Sequence, residues 1–286
     1  MNSKKNDNLL KFSAQTPWQF VFVVVLYTVG AVGFPTSIFT FVLGNSQNSQ
    51  MIAIFLARAL CSLLPLWLMR EIKVNKLLRV NNFFSNFYLL IPFLLVVINN
   101  FPIIPLIKGD TSFVANNNFI KWICYLLAVL GGVVIEEVTF RGLIFPVLYR
   151  KLSTKKHGEF LSVLFSSALF GIVHLFNLFA GAGIGPVIMQ IGYSLLIGGM
   201  CCIALLKTGN FYNCILLHFI FNIGGLLYEK NMISGNIWTV ETVIITAILG
   251  ILVTVYAIVI LFKNNKNPLS EKIRLNKSGE LNESNN

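Results

Sequence analysis

The fold of this chain is decided by residues 119–149, which read FIKWICYLLAVLGGVVIEEVTFRGLIFPVLY. A helix needs about 20 apolar residues to cross the roughly 30 Å hydrocarbon core of a bilayer. This stretch exceeds that length, so it is predicted to be a membrane-spanning helix. Its second half departs from the pattern of such helices, because two carboxylates and a guanidinium interrupt it: Glu136, Glu137 and Arg141.

Seven further stretches have a similar apolar composition. The eight predicted spans are residues 18–43, 51–69, 83–98, 119–149, 160–179, 186–206, 211–228 and 237–262. The third span is short, and residues 101–107 after it are half apolar, which is typical of a re-entrant or interfacial segment. The sequence therefore predicts an all-α, polytopic membrane bundle of about eight transmembrane helices.

The composition of the whole chain agrees with this prediction. Of its 286 residues, 56% are hydrophobic and 12% are charged, and the mean hydropathy is +0.75. Charged residues make up about a quarter of an ordinary soluble domain. The chain thus has too few polar residues to cover a water-facing exterior, and a soluble globular protein is excluded.

The net charge of +11 is explained by topology. Of the 22 Lys and Arg, 17 lie in the termini and connections of one predicted side, whereas only Lys108, Lys121 and Lys230 lie on the other. The positive-inside rule then predicts that both termini are cytoplasmic. We expect a multi-pass protein of the cell membrane, in contact with the lipid bilayer. A nucleic-acid partner is not needed to explain the basic charge.

The three ionisable residues of the fourth span need a structural or functional explanation. Each such side chain costs about 2.5–3.5 kcal/mol at the centre of a bilayer on insertion scales. Glu137 and Arg141 are four residues apart and share a helix face, so an ion pair can offset part of their cost. Glu136 is rotated about 100° away and has no such local partner. A carboxylate of this kind is suited to act as a general base or acid.

Two other spans contribute polar residues. His174 lies in the fifth span, while His218 and Asn222 lie four residues apart in the seventh. A buried neutral histidine, or a polar pair that joins two helices, is the structural alternative for each. Taken together with Glu136 and Glu137, however, these residues form the richest set of catalytic groups in the chain.

Helix length predicts the depth of these residues. At about 1.5 Å per residue, Glu136 and His174 lie about 20 Å from the cytoplasmic ends of their predicted spans, and His218 lies only about 10 Å from Phe211. His218 can therefore reach the other two only if the helices are tilted, if they begin at different heights, or if a water-filled cavity opens to the cytoplasm.

The three motifs, in this order, resemble the CPBP family of intramembrane proteases, which includes CAAX prenyl proteases and bacterial Abi proteins. They are Glu-Glu-x-x-x-Arg (136–141), Phe-x-x-x-His (170–174) and His-x-x-x-Asn (218–222). The resemblance implies that Glu136 and His174 activate a water molecule. It also implies that His218 and Asn222 hold the oxyanion, and that Glu137 and Arg141 support the motif helix.

The resemblance also divides the chain. We expect a cytoplasmic N-terminal segment at residues 1–17 and N-terminal transmembrane helices at 18–118. A CPBP-like catalytic core is expected at 119–228, followed by a last transmembrane helix at 229–262. Residues 263–286 are polar and rich in Asn, and are expected to form a disordered cytoplasmic tail.

The function implied is that of an intramembrane endopeptidase which hydrolyses a peptide bond of a membrane-associated peptide or protein. No cofactor is expected if Glu136 is the base, but Glu136, His174 and His218 would also make a plausible zinc set. A non-proteolytic family role remains as an alternative, namely bacteriocin self-immunity, regulation of a sensor kinase or lipoprotein N-acylation. A proton-coupled transporter is disfavoured because the sequence has no internal repeat.

Two further charged residues have no place in these motifs. Arg58 and Glu241 both lie toward the predicted extracellular ends of their spans. One hypothesis is a structural ion pair between them. The alternative is that the Arg58 side chain extends to the membrane interface.

Overall fold

The computed structural model describes residues 3–80, 83–109, 115–234, 239–263 and 267–273. Within these ranges the chain is helical, and its β-pairing is limited to an isolated bridge between Ala115 and Ile233. The α-helices are α1 (Ser3–Gln15), α2 (Pro17–Val32), α3 (Ser37–Leu43), α4 (Gln47–Glu71), α5 (Ile91–Asn99), α6 (Ile103–Ile107), α7 (Phe119–Thr139), α8 (Phe145–Leu152), α9 (Gly158–Ile172), α10 (Ile184–Thr208), α11 (Phe211–Leu226), α12 (Val240–Phe262) and α13 (Pro268–Ile273).

These helices confirm the predicted class, a polytopic helical bundle. Six helical stretches of the described chain are long and apolar enough to cross a membrane, and two shorter apolar helices, Phe87–Asn99 and Phe211–Leu226, account for the third and seventh predicted spans. Residues 101–107, expected to be re-entrant or interfacial, contain the short helix α6. The bundle therefore combines full-length spans with shorter helices.

The first predicted span differs from a single straight helix. Helix α2 ends at Val32, and α3 begins at Ser37 after four residues that include Pro35. Proline cannot donate a backbone hydrogen bond, and it disfavours the helical conformation of the residue before it. The span is consequently broken near its predicted outer end.

The predicted basic connections meet at one end of the bundle. Arg150 donates hydrogen bonds to the carbonyl oxygens of Ile72, Lys73 and Ile273, at 2.8, 3.1 and 2.8 Å. The Nζ atom of Lys272 donates to the carbonyl oxygen of Gly209 at 2.6 Å. We call this region, residues 70–79, 150–158, 207–210 and 267–273, the basic end. Its assignment to the cytoplasm stays a prediction.

The sparsely charged connections meet at the opposite end. Lys121 Nζ donates to the carbonyl oxygen of Asn231 at 2.8 Å, and Gln47 Nε2 donates to that of Lys230 at 3.1 Å. Lys108 forms an exposed ion pair with Glu241 at 2.6 Å. The two sets of connections that the charge count separates thus lie at opposite ends of the bundle.

Part of the segment expected to be a disordered tail is ordered. Residues 268–273 form α13, whose Leu269 and Ile273 are fully buried in the hydrophobic core. These two residues are four apart and share one face of the helix. The segment as a whole is polar, so two apolar residues were not enough to predict a buried helix from the sequence. Residues 264–266 and 274–286 lie outside the described residues.

Glycines allow the helix that carries the first motif to approach its neighbours closely. A Cβ atom at Gly131 would lie 3.1 Å from the Cα atom of Phe55 in α4, and one at Gly142 would lie 2.7 Å from the Sδ atom of Met69. A larger residue at Gly131 would press on the backbone of α4, whereas one at Gly142 would have to displace the flexible Met69 side chain. Helix α7 thus packs closely on α4 at Gly131, five residues before Glu136.

Candidate active site

The first motif spans a change of helical geometry. Helix α7 ends at Thr139 and continues through a π-helical turn, Phe140–Ile144, into α8. Pro146 follows in the first turn of α8 and has no N–H to donate to the preceding turn, so the regular ladder of hydrogen bonds cannot pass unchanged through this region. Such π-turns within α-helices frequently occur at functional sites.

Glu137 and Arg141 form the predicted ion pair. Arg141 Nη1 donates to Glu137 Oε1 at 2.8 Å, and the two side chains are 1% and 0% exposed. The guanidinium carbon of Arg141 lies 4.4 Å from the ring centroid of Phe170, which adds a cation–π contact. Gly198 makes room for this arrangement, because a Cβ atom there would lie 3.3 Å from Arg141 Nη2.

Glu137 has a second partner that the sequence did not predict. His218 Nδ1 lies 2.7 Å from the same Oε1 atom of Glu137. A carboxylate accepts hydrogen bonds, so Nδ1 is the donor and carries a proton. Glu137 therefore joins Arg141 in the motif helix to His218 in α11, and it orients the imidazole ring.

The other ring nitrogen of His218 faces the remaining polar residues. Asn222 Nδ2 lies 3.1 Å from His218 Nε2, and Glu136 Oε2 lies 3.6 Å from the same atom. In a neutral ring with its proton on Nδ1, Nε2 accepts from Asn222. In an imidazolium, Nε2 also donates, and its positive charge lies next to the Glu136 carboxylate.

A cavity of about 290 Å³ joins the four predicted catalytic residues. Glu136, His174, His218 and Asn222 all line it. Glu136 retains 20% of its side-chain exposure, whereas its neighbour Glu137 retains none. The two adjacent carboxylates thus have different surroundings, since Glu137 is enclosed by its two partners and Glu136 faces open space.

The start of α11, the helix that carries His218, is buried. Asn210 and Phe211, just before and at the start of this helix, are 0% and 1% exposed. The turn at Gly209 is covered by α13, through Lys272 and a close approach of Pro268. The start of α11 is therefore covered by other segments of the basic end, and His218 Nε2 comes within 3.6 Å of Glu136 Oε2.

His174 does not lie in a regular α-helix, although its predicted span covers residues 160–179. Helix α9 ends at Ile172, and residues Val173–Leu178 continue as a 3₁₀-helix. His174 is half-buried, and its ring lies 5.6 Å from that of Phe170, centroid to centroid. It therefore lies at the junction of two helix types and faces the cavity beside Glu136.

A second cavity meets the first at Glu136 and His174. Its volume is about 370 Å³, and its walls are mainly apolar, with Phe140, Phe176 and Phe179 among them. It lies between α2 and the 3₁₀-helix that carries His174. The candidate site thus has a polar side and an apolar side, and Glu136 and His174 stand where the two meet.

Arg58 lines the polar cavity and is not paired with Glu241. Glu241 binds Lys108 instead, at 2.6 Å, and Arg58 donates from Nη1 to the carbonyl oxygen of Ala31. The hypothesis of an Arg58–Glu241 ion pair is therefore wrong. Charge alone suggested that pair, but Lys108 lies next to Glu241 at the end of the bundle.

The arrangement does not form a metal-binding set. Among the described residues, no group of three or more His, Cys, Asp or Glu is placed so that it could hold a metal ion. In the candidate site, His218 directs Nδ1 to Glu137 and Nε2 to Asn222. The side chains do not fit the zinc set considered from the sequence.

The fold and site define a multi-pass membrane protein with a polar cavity between its helices. Residues 118–224 match the family model of the type II CAAX prenyl endopeptidases, described as Rce1-like. This segment contains all three motifs and confirms the resemblance to the CPBP family. At the level of the family, the match supports a CAAX-protease-like intramembrane peptidase. Searches of curated proteins and of solved structures found no significant match.

Proposed function

We propose that the protein is an intramembrane endopeptidase in which Glu136 activates the attacking water. The observation that carries the proposal is the difference between two adjacent carboxylates. Glu137 is fully buried and bound to Arg141 and His218, while Glu136 faces the cavity shared with His174. A general base must reach its water molecule, and Glu136 is the carboxylate of the motif that can do so.

In the proposed reaction, Glu136 takes a proton from water as the oxygen attacks the carbonyl carbon of the peptide bond. His174, which lines the same cavity from the 3₁₀-helix, binds this water and directs it. The tetrahedral intermediate then collapses, and the proton held by Glu136 passes to the leaving nitrogen. The C–N bond breaks, which yields a carboxylate and an amine.

His218 and Asn222 are proposed to stabilise the oxyanion. Their nitrogens Nε2 and Nδ2 are 3.1 Å apart, so both can converge on one oxygen atom. With Nδ1 donating to Glu137, Nε2 donates to the oxyanion in the imidazolium form of the ring. The substrate is proposed to be a membrane-associated peptide or protein, and the location is proposed to be the cell membrane, with both termini cytoplasmic.

Glu136→Gln tests this proposal. Purified protein in lipid nanodiscs would be assayed with lipidated peptides by mass spectrometry, and the membrane proteomes of wild-type and variant cells would be compared for uncleaved termini. We expect turnover to fall by about 10²–10⁴-fold, the usual contribution of a general base. Glu241→Gln, in an exposed ion pair at the far end of the bundle, is the matched control. Unchanged cleavage by Glu136→Gln would overturn the proposal.

A further inference from the structure

A third cavity, which takes no part in the proposed reaction, is an apolar groove between α9, α10 and α12. Its volume is about 220 Å³, and its walls are apolar apart from the hydroxyl groups of Ser167 and Thr254. Both hydroxyls donate to carbonyl oxygens of their own helices, at 2.6 and 2.7 Å. The groove therefore presents a hydrocarbon surface, which an apolar chain fits best.

Small residues form the floor of the groove, and large residues form its rim. A Cβ atom at Gly199 would meet one side-chain atom within 4 Å, a hydroxyl oxygen 3.6 Å away, and Ala257 on the facing helix is buried. Leu164, Leu195 and Ile258 line the groove and are exposed. In a bilayer the groove thus opens to lipid, and an acyl chain supplies the packing contacts that its floor lacks.

The groove begins at the basic end of the bundle. Phe160, in the first turn of α9, and Leu261, in the last turn of α12, line this end. From Leu261 to Val253 the groove follows α12 for eight residues, which is about 12 Å along the helix axis. It therefore runs from the basic end toward the middle of the membrane.

Three lysines lie at the end of the groove where α9 begins and α12 ends. Lys155 and Lys156 lie in the turn before α9, Lys263 directly follows α12, and all three are exposed. The ring of His157 lies 5.6 Å from that of Phe262, centroid to centroid, which holds the turn against the end of α12. The two segments thus bring three ammonium groups to one end of the groove.

The charge of these lysines is available to a ligand. None of the ion pairs among the described residues includes any of the three. The carboxylate in the same region, Glu159, accepts from Asn267 Nδ2 and Tyr149 Oη at 2.5 and 3.2 Å. The mouth of the groove is therefore positively charged and complements an anion that carries an apolar chain.

We propose that the groove binds one acyl chain of an anionic phospholipid whose head group contacts Lys155, Lys156 and Lys263. A phospholipid has its charge at the membrane surface and its chains in the hydrocarbon core, in the same order as the lysines and the groove. Basic pockets between membrane helices bind anionic head groups in this way. The inference is independent of the proposed function, because it involves none of the proposed catalytic residues.

The groove shares a wall with the candidate site. Ser167 lines the groove, and a Cβ atom at Gly198 would lie 3.3 Å from both its Cα atom and Arg141 Nη2. A bound chain thus lies behind the contact of α9 and α10 that encloses the Arg141 guanidinium. Because a ligand of the folded state stabilises it, we expect the lipid to raise the melting temperature.

The test measures lipid binding by native mass spectrometry of the purified protein in a non-ionic detergent. The probes are dioleoyl phosphatidylglycerol, dioleoyl phosphatidylcholine and glycerol 3-phosphate, which has the charge without the chains. We expect phosphatidylglycerol to bind about 10- to 100-fold more tightly than phosphatidylcholine, and glycerol 3-phosphate to bind more weakly than either lipid. Equal binding of the two lipids overturns the inference. Glycerol 3-phosphate that binds as tightly as phosphatidylglycerol also overturns it, since it indicates a site for free phosphate.

Replacing the three lysines tests the head-group contacts. The combined variant Lys155→Gln, Lys156→Gln and Lys263→Gln should reduce the preference for phosphatidylglycerol to less than about threefold. The matched control removes three positive charges from residues 70–79 of the same basic end, outside the groove: Arg70→Gln, Lys76→Gln and Arg79→Gln. It should keep the preference. Equal loss of the preference in both variants indicates unspecific attraction and contradicts a site at the groove.

Thr254→Phe tests the position of the acyl chain. Thr254 is an exposed residue of the groove, so a phenyl ring there occupies the space of the chain without disturbing the core. We expect the affinity for phosphatidylglycerol to fall by about tenfold, the equivalent of roughly two buried methylene groups. Val255→Phe, at the next exposed position of α12 and outside the groove, is the control. Unchanged affinity in Thr254→Phe would place the acyl chain elsewhere and overturn the inference.

Discussion

The Nδ1 atom of His218 lies 2.7 Å from the Oε1 atom of Glu137, across 81 positions of sequence. The same oxygen accepts from Arg141 at 2.8 Å. The single carboxylate oxygen therefore accepts from two partners, one in its own helix and one in α11. Glu137 contacts neither the cavity nor the proposed position of the substrate, so we regard it as a positioning residue that acts through His218.

Glu137→Gln should impair catalysis more than binding. The single side-chain oxygen of Gln would stay with Arg141, so its NH₂ group would face Nδ1, and the His218 ring would lose the acceptor that orients it. Loss of the carboxylate that orients a catalytic histidine lowers turnover by about 10⁴-fold in catalytic triads. We expect kcat to fall by about 10²–10⁴-fold with a small change in KM, as measured by steady-state kinetics in nanodiscs. A KM effect with unchanged kcat would contradict this role.

The same variant should lose stability, because the buried Arg141 charge loses its partner. Breaking a buried ion pair on one side costs about 3–5 kcal/mol. Adding Arg141→Met should restore much of the melting temperature but not the activity, because His218 would still lack its carboxylate. Recovery of both properties in the double variant would show that Glu137 matters only for folding.

Asn222→Ala should remove one donor to the oxyanion and leave substrate binding intact. Loss of one such donor lowers kcat by about 10²–10³-fold in other hydrolases. The measurement is kcat and KM with the lipidated peptide, and Asn45→Ala, in an exposed loop, is the control. Normal kcat in Asn222→Ala would assign the oxyanion site to other groups.

Gly198→Ala should disturb the Arg141 site, whereas Gly199→Ala should not. A Cβ atom at Gly198 would lie 3.2–3.3 Å from Phe170, Arg141 and the backbone of Ser167, but one at Gly199 meets only Ser167 Oγ, at 3.6 Å. We expect Gly198→Ala to lower the free energy of unfolding by about 1–2 kcal/mol. This value already allows for the higher helix propensity of alanine. Thermal melting of both variants in detergent checks the difference, and equal melting temperatures would refute it.

Arg150→Lys should lower the thermal stability of the protein by loosening the packing of the basic end, although it keeps the positive charge. Arg150 donates from three nitrogens to three carbonyl oxygens, and one ammonium cannot reach all of them in this geometry. Hydrogen bonds from charged donors contribute about 1.5–3 kcal/mol each, so a clear fall in melting temperature is expected. Lys151→Gln, at the adjacent exposed position, should melt like the wild type.

Hydropathy and charge were sufficient to predict the helical class and to select the residues of the candidate site. Apolar runs of about 20 residues identify spans, and charged residues within them are rare enough to stand out. Glu136, His174, His218 and Asn222 were found in this way, and the structure brings them to one cavity. The ion pair of Glu137 and Arg141 was also predictable, because it depends only on helical spacing.

What the sequence could not predict depends on contacts between distant segments. The bond from Glu137 to His218 joins different helices, and no local pattern encodes it. The turn at Gly209, between α10 and α11, is covered by α13, whose buried apolar residues are Leu269 and Ile273. The partner of Glu241 was predicted wrongly, because charge alone does not distinguish Lys108 from Arg58.

The short helix α11 has a consequence for the biogenesis of the protein. Its 16 residues extend about 24 Å, less than the roughly 30 Å hydrocarbon core, so it depends on its neighbours to remain in the bilayer. The helices that pack against it, α5, α7 and α10, all precede it in the chain. A nascent chain that ends before α11 has these helices and Glu136 but lacks His218 and Asn222, so α11 completes the candidate site by docking on helices that are already made.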